Sequence, residues 1–262
     1  MKVGIIGAEM HEVNLLFAAL AKADTPVRVT RRGALEFHEG SLSGCPAVVV
    51  CCGVGKVNAA LCAQMMISEF GITCAVNTGS AGGIAPELAV LDMIVCTDAV
   101  QHDFDTTPFG YKPGQIPGTD TQFFEADARL RTLALAAHKR VIARDAAAKE
   151  AVGIPSAHKM IAGRVASGDA FITDEARRAR IVSLFSPACV EMEGAAIAQV
   201  CAANGIPFAV LRSVSDLAGK EAGMSYAEFA KIASEISAHV VMEMAAAIAA
   251  GEYSQTPTGA VK

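Results

Sequence analysis

The sequence lacks an excess of positive charge, and this absence limits the partners it is suited to bind. Lysine and arginine together number 22 against 27 aspartates and glutamates, which gives a formal net charge of −5 over 262 residues. Proteins that bind nucleic acids normally present a basic face. The charge balance therefore disfavours a nucleic-acid-binding function.

Long hydrophobic runs are also missing, although 52% of the residues are hydrophobic. No stretch reaches the roughly 18 uninterrupted apolar residues expected of a membrane span. The first residues superficially resemble a signal peptide, but Glu9, His11 and Glu12 interrupt them and no small-residue cleavage site follows. We therefore expect a cytoplasmic protein with a large apolar core and no membrane partner.

The eight cysteines show none of the spacings typical of metal or redox sites. There is no CxxC pair, and no histidine lies at zinc-finger spacing from two cysteines. Most of the cysteines lie inside apolar runs, as Cys51 and Cys52 do after Val48–Val50. Buried free thiols that pack as small hydrophobic side chains are the better interpretation, and we expect neither a metal nor a cofactor.

Short apolar runs alternate along the chain with longer stretches of helical character. The apolar runs are typical of strands buried on both faces: Val3–Ile6, Val48–Cys52, Cys74–Val76, Met93–Thr97, Ile161–Ala166, Cys189–Glu191 and Phe208–Val214. The predicted helices are His11–Lys22, Val57–Phe70, Ala126–Lys149, Gly194–Asn204 and Tyr226–Ala250. Val27–Arg31 and Leu35–His38 are candidates for a hairpin or edge strands. The alternation predicts an α/β fold with a mixed or largely parallel sheet flanked by helices.

The sequence shows no internal repeat and no domain linker. We therefore predict one domain over residues 1–250. Residues 251–262 have no periodicity and are predicted to form a flexible tail.

Polar side chains follow the ends of several predicted strands, where open α/β sheets gather their ligands. One pocket could collect all of them: Glu12, Ser80, Asp169, Glu191, Glu193 and Asp216. The alternative is that they are caps, with Asp169 capping a helix that starts at Thr173 or Asp174 and Ser80 capping its own turn. Glu191 and Glu193 are harder to explain as caps, because burying an unpaired carboxylate is very costly.

Six motifs occur in a recognisable order, and together they resemble the bacterial 5′-methylthioadenosine/S-adenosylhomocysteine nucleosidases, members of the nucleoside phosphorylase fold. The resemblance extends from Met1 to about Ala250. Its motifs are Gly4–Ala8 with Glu12, Val54–Val57, Asn77–Gly83, Ser167–Phe171, Val190–Gly194 and Arg212–Asp216.

The resemblance implies a hydrolase that cuts the bond between adenine and a 5′-substituted ribose. Asp216 matches the acid that protonates adenine at N7, because adenine leaves poorly unless a ring nitrogen is protonated. Glu12 would orient and deprotonate the attacking water, with help from Arg212 and Ser80. In a regular strand Arg212 and Asp216 face the same side, since their separation is even.

The same resemblance assigns the groups that hold the substrate. Phe171 would stack on the base, and the backbone of Ile172 would hydrogen-bond its edge. Glu193 would bind the ribose hydroxyls with Met192 packed against the sugar, and Val54 is assigned to the same pocket. Glu191 would pair with Arg212.

The loop from Gln101 to Gly118 resembles the family's hydrophobic subsite for the 5′ group, part of which comes from the partner subunit of a homodimer. Phe109 and Pro117 are assigned across that interface, and Tyr111 lies between them. Tyr226 would help to close the pocket. Packing of these aromatic residues in a dimer interface is an alternative, and it is compatible with the first.

Two other functions compete with the nucleosidase interpretation. A purine nucleoside phosphorylase would carry a Gly-Asp-Pro-x-Arg segment after the first strand, where this chain has Ala8–Glu12. A carboxylate there repels phosphate and suits the activation of water. A non-catalytic binding or storage protein on the same fold is the second alternative, and the presence of Glu12, Glu193 and Asp216 argues against it. The candidate substrates 5′-methylthioadenosine, S-adenosylhomocysteine, 5′-deoxyadenosine and 6-amino-6-deoxyfutalosine differ only at the 5′ end.

Overall fold

A mixed β-sheet organises the described part of the chain, which in this computed structural model comprises residues 1–23, 25–144, 158–217 and 225–253. Ten strands belong to the sheet. They are β1 (Val3–Gly7), β2 (Arg28–Arg32), β3 (Leu35–Leu42), β4 (Cys45–Cys51), β5 (Cys74–Gly83), β6 (Met93–Gln101), β7 (Phe124–Glu125), β8 (Met160–Ser167), β9 (Cys189–Glu191) and β10 (Phe208–Asp216).

Helices flank the sheet on both faces, as the alternating pattern predicted. Those in the described ranges are α1 (Met10–Ala21), α2 (Lys56–Ser68), α3 (Ala128–Arg144), α4 (Glu175–Phe185), α5 (Gly194–Asn204) and α6 (Tyr226–Ala249). The buried residues of α1, α3 and α6 share one apolar cluster, whereas those of α2 and α5 share another. Ile5 and Ile6 of β1 belong to different clusters. Successive side chains of a strand point to opposite faces, so a central strand must be apolar throughout.

Strand β5 is the junction of the sheet. It pairs in parallel with β1 and β10 and antiparallel with β9. Strand β10 also pairs with β6, and the pairings of β6 with β8 and of β8 with β9 lead back to β5. These five strands therefore form a closed ring, and β1, β4, β3 and β2 extend from β5 as an open sheet.

The predicted strand boundaries differ most from the structure at β5. The prediction ended this strand at Val76 and placed Ser80 beyond its end, whereas the strand continues to Gly83 and includes Ser80. The last residues are small and have low strand propensity. Pairing with β10 and β9 on the two sides keeps them extended, so tertiary contacts override the local preference. Ser80 therefore does not cap a turn.

Two smaller differences concern β7 and α3. Strand β7 is two residues long, too short to show a period, and was not predicted. Helix α3 begins at Ala128 rather than Ala126, because Asp127 accepts hydrogen bonds from the backbone N–H groups of Arg129 and Leu130 at 2.9 and 2.8 Å. The predicted continuation of this helix beyond Arg144 lies outside the described residues, as do residues 254–262 of the predicted tail.

Helix α6 is long and apolar enough to pass a composition test for a membrane span. Residues Ala227–Ala249 have a mean hydropathy of 1.4, and 56% of the tested window is buried within the fold. The helix packs against α1, α3 and the sheet. These contacts explain its composition as that of a core helix.

Candidate active site

Glu12 lies in the first turn of α1, directly after β1, and is buried. Its Oε2 atom accepts hydrogen bonds from the backbone N–H groups of Ala8 (2.7 Å) and Glu9 (3.0 Å). Its Oε1 atom accepts the backbone N–H of Ser80 at 3.0 Å. Ser80 therefore contacts Glu12 through its backbone N–H group rather than through its hydroxyl group. The carboxylate is fixed by the end of β1, the start of α1 and the middle of β5.

Gly79 allows Glu12 and Arg212 to approach the same stretch of β5. A Cβ atom at this position would collide with Arg212 Nη1 and lie 2.6 Å from Glu12 Oε1. Any side chain here would displace one of the two charged groups, so the site requires glycine for space.

Arg212 is only 1% exposed and lies among carboxylates. Its Nε and Nη2 atoms both donate to Glu191 Oε2. Its Nη2 atom also donates to Asn77 Oδ1 at 2.6 Å and lies 3.4 Å from Glu193 Oε2. The structure thus places the predicted partners Glu191 and Arg212 in direct contact.

Glu191, the last residue of β9, and Glu193, two residues later, have pKa values shifted in opposite directions. Burial alone would raise the pKa of Glu191, but Arg212 and a hydrogen bond from Ser167 Oγ outweigh it and hold this pKa below its ordinary value. Burial, and then the adjacent charge of Glu191, raise the pKa of Glu193 to about 7. Near neutral pH one carboxyl group is ionised and the other exchanges a proton.

Burial would also lower the pKa of Arg212, but the charges of Glu191, Glu193 and Glu12 raise it above its ordinary value. The guanidinium therefore stays charged. One cation faces three carboxyl groups in a buried space. Such a site favours a positive charge developing beside it and disfavours an additional anion.

The even-separation argument for Arg212 and Asp216 applies to a regular strand, and β10 is not regular between them. The register with β5 shifts between Val214 and Asp216, so an extra residue interrupts the alternation of sides. Arg212 is buried, whereas Asp216 is partly buried and its Oδ2 accepts a hydrogen bond from Ser215 Oγ at 2.8 Å. The even separation of the two residues therefore does not determine which side of the sheet Asp216 faces.

The loop after β8 carries the two residues assigned to the base. Phe171 is 73% exposed, whereas Ile172 is buried in a cluster with residues of β6 and β8. The cap interpretation of Asp169 is wrong, since the N-cap of α4 is Asp174, which accepts the N–H of Arg177 at 2.7 Å. Asp169 instead accepts the backbone N–H of Lys56 at 2.8 Å.

The remaining predicted residues lie at the surface or partly buried. Met192 is partly buried between the two glutamates, and Val54 is exposed before α2. Phe109 ends a short 3₁₀ turn and is 82% exposed. Pro117 is exposed and Tyr111 partly buried.

Tyr226 is the first residue of α6. The assignments of these six residues, Met192, Val54, Phe109, Pro117, Tyr111 and Tyr226, to substrate binding stay predictions.

Two buried polar residues support the charged groups and were not assigned from the sequence. Asn77 donates from Nδ2 to the carbonyl of Ile6 at 2.9 Å and accepts from Arg212. Ser167 Oγ donates to Glu191 Oε1 and accepts the N–H of Ala195 at 2.7 Å. Asn77 directly follows the apolar run Cys74–Val76, and Ser167 is the last residue of β8. A polar residue directly after an apolar run is the signal that could have identified both.

Glu9, His11 and Glu12 have ligand atoms within 4.8 Å of one another, close enough to hold a metal ion. Glu9 and Glu12 form a capping box, in which each side chain accepts a backbone N–H of the other residue. Capping of α1 therefore explains the proximity of these two carboxylates.

The raised pKa of Glu193 predicts a pH dependence of stability. The folded protein binds this proton more tightly than the unfolded chain, whose carboxyl group has the ordinary value of 4.5. The resulting stabilisation is complete below that value and is lost as the pH rises through about 7. Each unit of pKa difference corresponds to about 1.4 kcal/mol.

We therefore expect the Tm of the ligand-free protein to fall more between pH 5 and pH 8 than that of Glu193→Gln, which cannot titrate. Thermal unfolding of the two proteins across this range measures the difference. Parallel profiles would show that Glu193 does not hold the proton.

Comparison with known proteins identifies the family of the chain. The sequence model of the phosphorylase superfamily matches residues 2–246. The 5′-methylthioadenosine/S-adenosylhomocysteine nucleosidase of Treponema pallidum is 43% identical, with 87% of this chain and 91% of that protein covered. The crystal structure of the Colwellia psychrerythraea nucleosidase in complex with adenine has a TM-score of 0.80 at 38% identity, covering 94% of each chain.

The native structure of Helicobacter pylori futalosine hydrolase has a TM-score of 0.78 at 32% identity, covering 93% of this chain and 97% of that one. Each relative matches almost along its whole length, and the family match includes every element that carries a charged residue of the site. The chain therefore belongs to the phosphorylase superfamily, among its 5′-methylthioadenosine/S-adenosylhomocysteine nucleosidases.

Proposed function

We propose that this enzyme hydrolyses the N-glycosidic bond of 5′-substituted adenosines and releases adenine and the 5′-substituted ribose. The observation that carries the proposal is the buried carboxylate of Glu12, held by three backbone N–H groups beside Arg212. A carboxylate fixed in this way can accept a proton from water in one defined direction.

The charge of the site suits the transition state of glycosidic cleavage. Loss of adenine leaves positive charge on the ribose, as in glycoside hydrolysis through an oxocarbenium-like state. Glu12, Glu191 and Glu193 outnumber Arg212, and they are fixed before the reaction begins. We assign Glu193 to the ribose hydroxyls, Met192 to the face of the sugar, and Glu191 to holding Arg212 in place.

We assign the departure of adenine to Asp216 at the end of β10. Its carboxyl group is partly buried and oriented by Ser215. As a general acid it would protonate N7, so that adenine leaves as a neutral base. Phe171 would cover the base on binding, which would explain a phenylalanine exposed to this degree on a loop.

A phosphorylase is the alternative within the same superfamily. Phosphate binding needs free cationic groups or backbone N–H groups. Here the guanidinium of Arg212 is occupied by Glu191 and Asn77, and the backbone N–H groups of Ala8 and Ser80 are occupied by Glu12. These contacts favour hydrolysis.

We expect the purified enzyme to release adenine from 5′-methylthioadenosine in phosphate-free buffer, at a rate that added phosphate does not increase. The reducing sugar, rather than a sugar 1-phosphate, should accumulate in step with adenine. Measuring both products with and without phosphate tests this. A strict requirement for phosphate would overturn the hydrolase assignment.

The substitution Asp216→Asn tests the general acid. The amide keeps the shape and can donate a hydrogen bond to adenine, but it cannot transfer a proton. We expect kcat to fall by about 10² to 10⁴, with a much smaller change in the affinity for adenine. Asp120→Asn, at an exposed position, is the matched control. Near-normal turnover by Asp216→Asn would assign Asp216 to the pocket wall.

The natural substrates proposed are 5′-methylthioadenosine and S-adenosylhomocysteine, with 5′-deoxyadenosine and 6-amino-6-deoxyfutalosine as further candidates. The relatives named as nucleosidases support the first two, and futalosine hydrolase supports the last. Selection among them would fall to the loop with Phe109, Tyr111 and Pro117, since only the 5′ group differs. A cytoplasmic location stays a proposal from the sequence.

We also propose that the enzyme is a homodimer in which this loop completes the partner's pocket. Large apolar side chains are exposed on the first two turns of α2, with Val57 at 77% and Leu61 at 52%, and on the loop at Phe109. Val57 and Leu61 are four residues apart and share one face of the helix. Several large apolar side chains exposed in this way are typical of a protein interface.

Sedimentation at micromolar concentration should give twice the chain mass. Val57→Glu should dissociate the dimer and reduce activity, because a charge in an apolar interface is unfavourable. Val29→Glu is the matched control, since Val29 is equally apolar and 51% exposed on the edge strand β2. A fully active monomer would contradict both the dimer and the shared pocket.

A further inference from the structure

Three loops at the edge of the site are joined by a ring of hydrogen bonds that runs through Lys56, Asp103 and Asp169. The Lys56 ammonium group donates to Asp103 Oδ1 at 2.6 Å. The backbone N–H of Asp169 donates to Asp103 Oδ2 at 2.9 Å. The backbone N–H of Lys56 donates to Asp169 Oδ1 at 2.8 Å. Each residue of this ring, which we call the clasp, therefore contacts the other two.

The clasp joins segments that serve different parts of the substrate. Asp169 stands two residues before Phe171, on the loop assigned to the base. Lys56 is the first residue of α2, and the preceding residue, Gly55, donates its N–H to Glu193 Oε1 at 2.8 Å. The start of α2 thus binds the carboxyl group assigned to the ribose and the loop assigned to adenine through consecutive N–H groups.

The first turn of α2 leaves backbone N–H groups that its own helix cannot satisfy, and these attract carboxylates. Gly55 is the N-cap and has no side chain that could serve as a cap. Its φ of +101° favours glycine, and a Cβ atom there would lie 3.2 Å from Asp169 Oδ1. The helix is therefore capped by Glu193 and Asp169, which are distant in sequence.

The side chain of Lys56 has a second anchor. Its ammonium group also donates to Gln101 Oε1 at 3.1 Å, and Gln101 Nε2 donates to Gln199 Oε1 of α5 at 2.6 Å. The side chains of Lys56 and Asp103 are only 15% and 21% exposed. An ion pair shielded to this degree is screened less by water and salt than one at the surface.

We propose that Lys56 and Asp103 are positioning residues that fix the adenine loop relative to the ribose carboxylate of Glu193. This inference rests on the proposed function, because it takes Phe171 and Ile172 as the contacts of the base. Neither Lys56 nor Asp103 needs to touch the substrate. Their effect passes through Asp169, whose carboxylate and N–H anchor the loop that carries Phe171.

Asp103 is ionised at neutral pH. Burial would raise the pKa of Asp103, but the hydrogen bonds from Lys56 and from the backbone of Asp169 outweigh it and hold this pKa below its ordinary value. The stabilisation from its charge is present at neutral pH and is lost only as the pH falls through that lowered pKa. The ion pair between Asp103 and Lys56 should therefore persist between pH 6 and pH 8.

The test compares Asp103→Asn and Lys56→Met with the wild-type enzyme. Contacts to the base act in both the bound ground state and the transition state, so their loss raises KM more than it lowers kcat. We expect KM for 5′-methylthioadenosine and the Kd for adenine to rise about tenfold or more, with kcat changed by less than about threefold. The double variant should bind adenine no more weakly than the weaker-binding of the two single variants, because both substitutions remove the same interaction.

Two further variants separate this role from a general loss of stability. Lys56→Arg keeps the charge and should retain the affinity for adenine. Lys2→Met removes the ion pair between Lys2, which precedes β1, and Glu39 of β3, whose side chains are 26% and 33% exposed. This control should change neither KM nor Kd. If Asp103→Asn and Lys56→Met leave adenine affinity unchanged, or if their effects add in the double variant, the inference is wrong.

Measuring adenine binding separately distinguishes a failure of the clasp inference from a failure of the proposed function. Calorimetric titration measures the Kd for adenine, which depends on the loop that carries Phe171 and requires no turnover. A wild-type protein that binds adenine but does not release it from nucleosides would overturn the hydrolase assignment and leave the clasp testable. A wild-type protein that cleaves nucleosides while the clasp variants match it in KM and Kd would overturn the clasp alone.

Discussion

The burial of one guanidinium group constrains most of the site. Arg212 is almost fully enclosed, and an enclosed charge is tolerated only when it is paired and fully hydrogen-bonded. Its partners come from β9, from β5 and from the start of α5. Each of these elements must therefore reach the same point before the charge is compensated. The interaction links the fold to the site, because the groups that neutralise Arg212 are those assigned to the reaction.

The excess of carboxyl groups around Arg212 has a chemical consequence. Two acidic side chains two residues apart cannot both be ionised at low cost in a buried site. Glu191 has the direct contact with the guanidinium and stays ionised, whereas the pKa of Glu193 rises to about 7. The pocket thus contains a fixed negative charge and a second group that exchanges a proton near neutral pH. Both suit a ribose that becomes positively charged as its bond to the base breaks.

The closed ring of strands explains how these groups are brought together. Strand β5 is bordered by β9 and β10, which carry Glu191 and Arg212, and by β1, which leads into α1 with Glu12. Gly79 provides the space in which two of these side chains meet. The loops outside the ring have fewer such constraints, and the clasp joins three of them at the start of α2. The centre of the site is therefore fixed by the sheet, and its edge by side-chain contacts between loops.

The sequence by itself determined the α/β class, the order of the main strands and helices, and the strand end that carries Glu191 and Glu193. The physical reason is that buried parallel strands must be apolar on both faces, and that polar residues at their ends cluster on one edge of the sheet. Both Glu191 and Glu193 could be singled out in this way, since a buried carboxylate needs a partner. The motif order also supplied the family, and the family match confirms it.

Only the tertiary structure decided the length of β5, the interruption of β10 before Asp216 and the partner of Asp169. Small residues have little strand propensity of their own, so β5 is extended by its neighbours. A bulge depends on register with another strand, which no local pattern encodes. Aspartate is a usual helix cap, and Asp169 precedes a helix. It nevertheless caps α2, more than a hundred residues away in sequence. Contacts between distant segments are set by the packing of the whole sheet, and a pattern of neighbouring residues does not contain them.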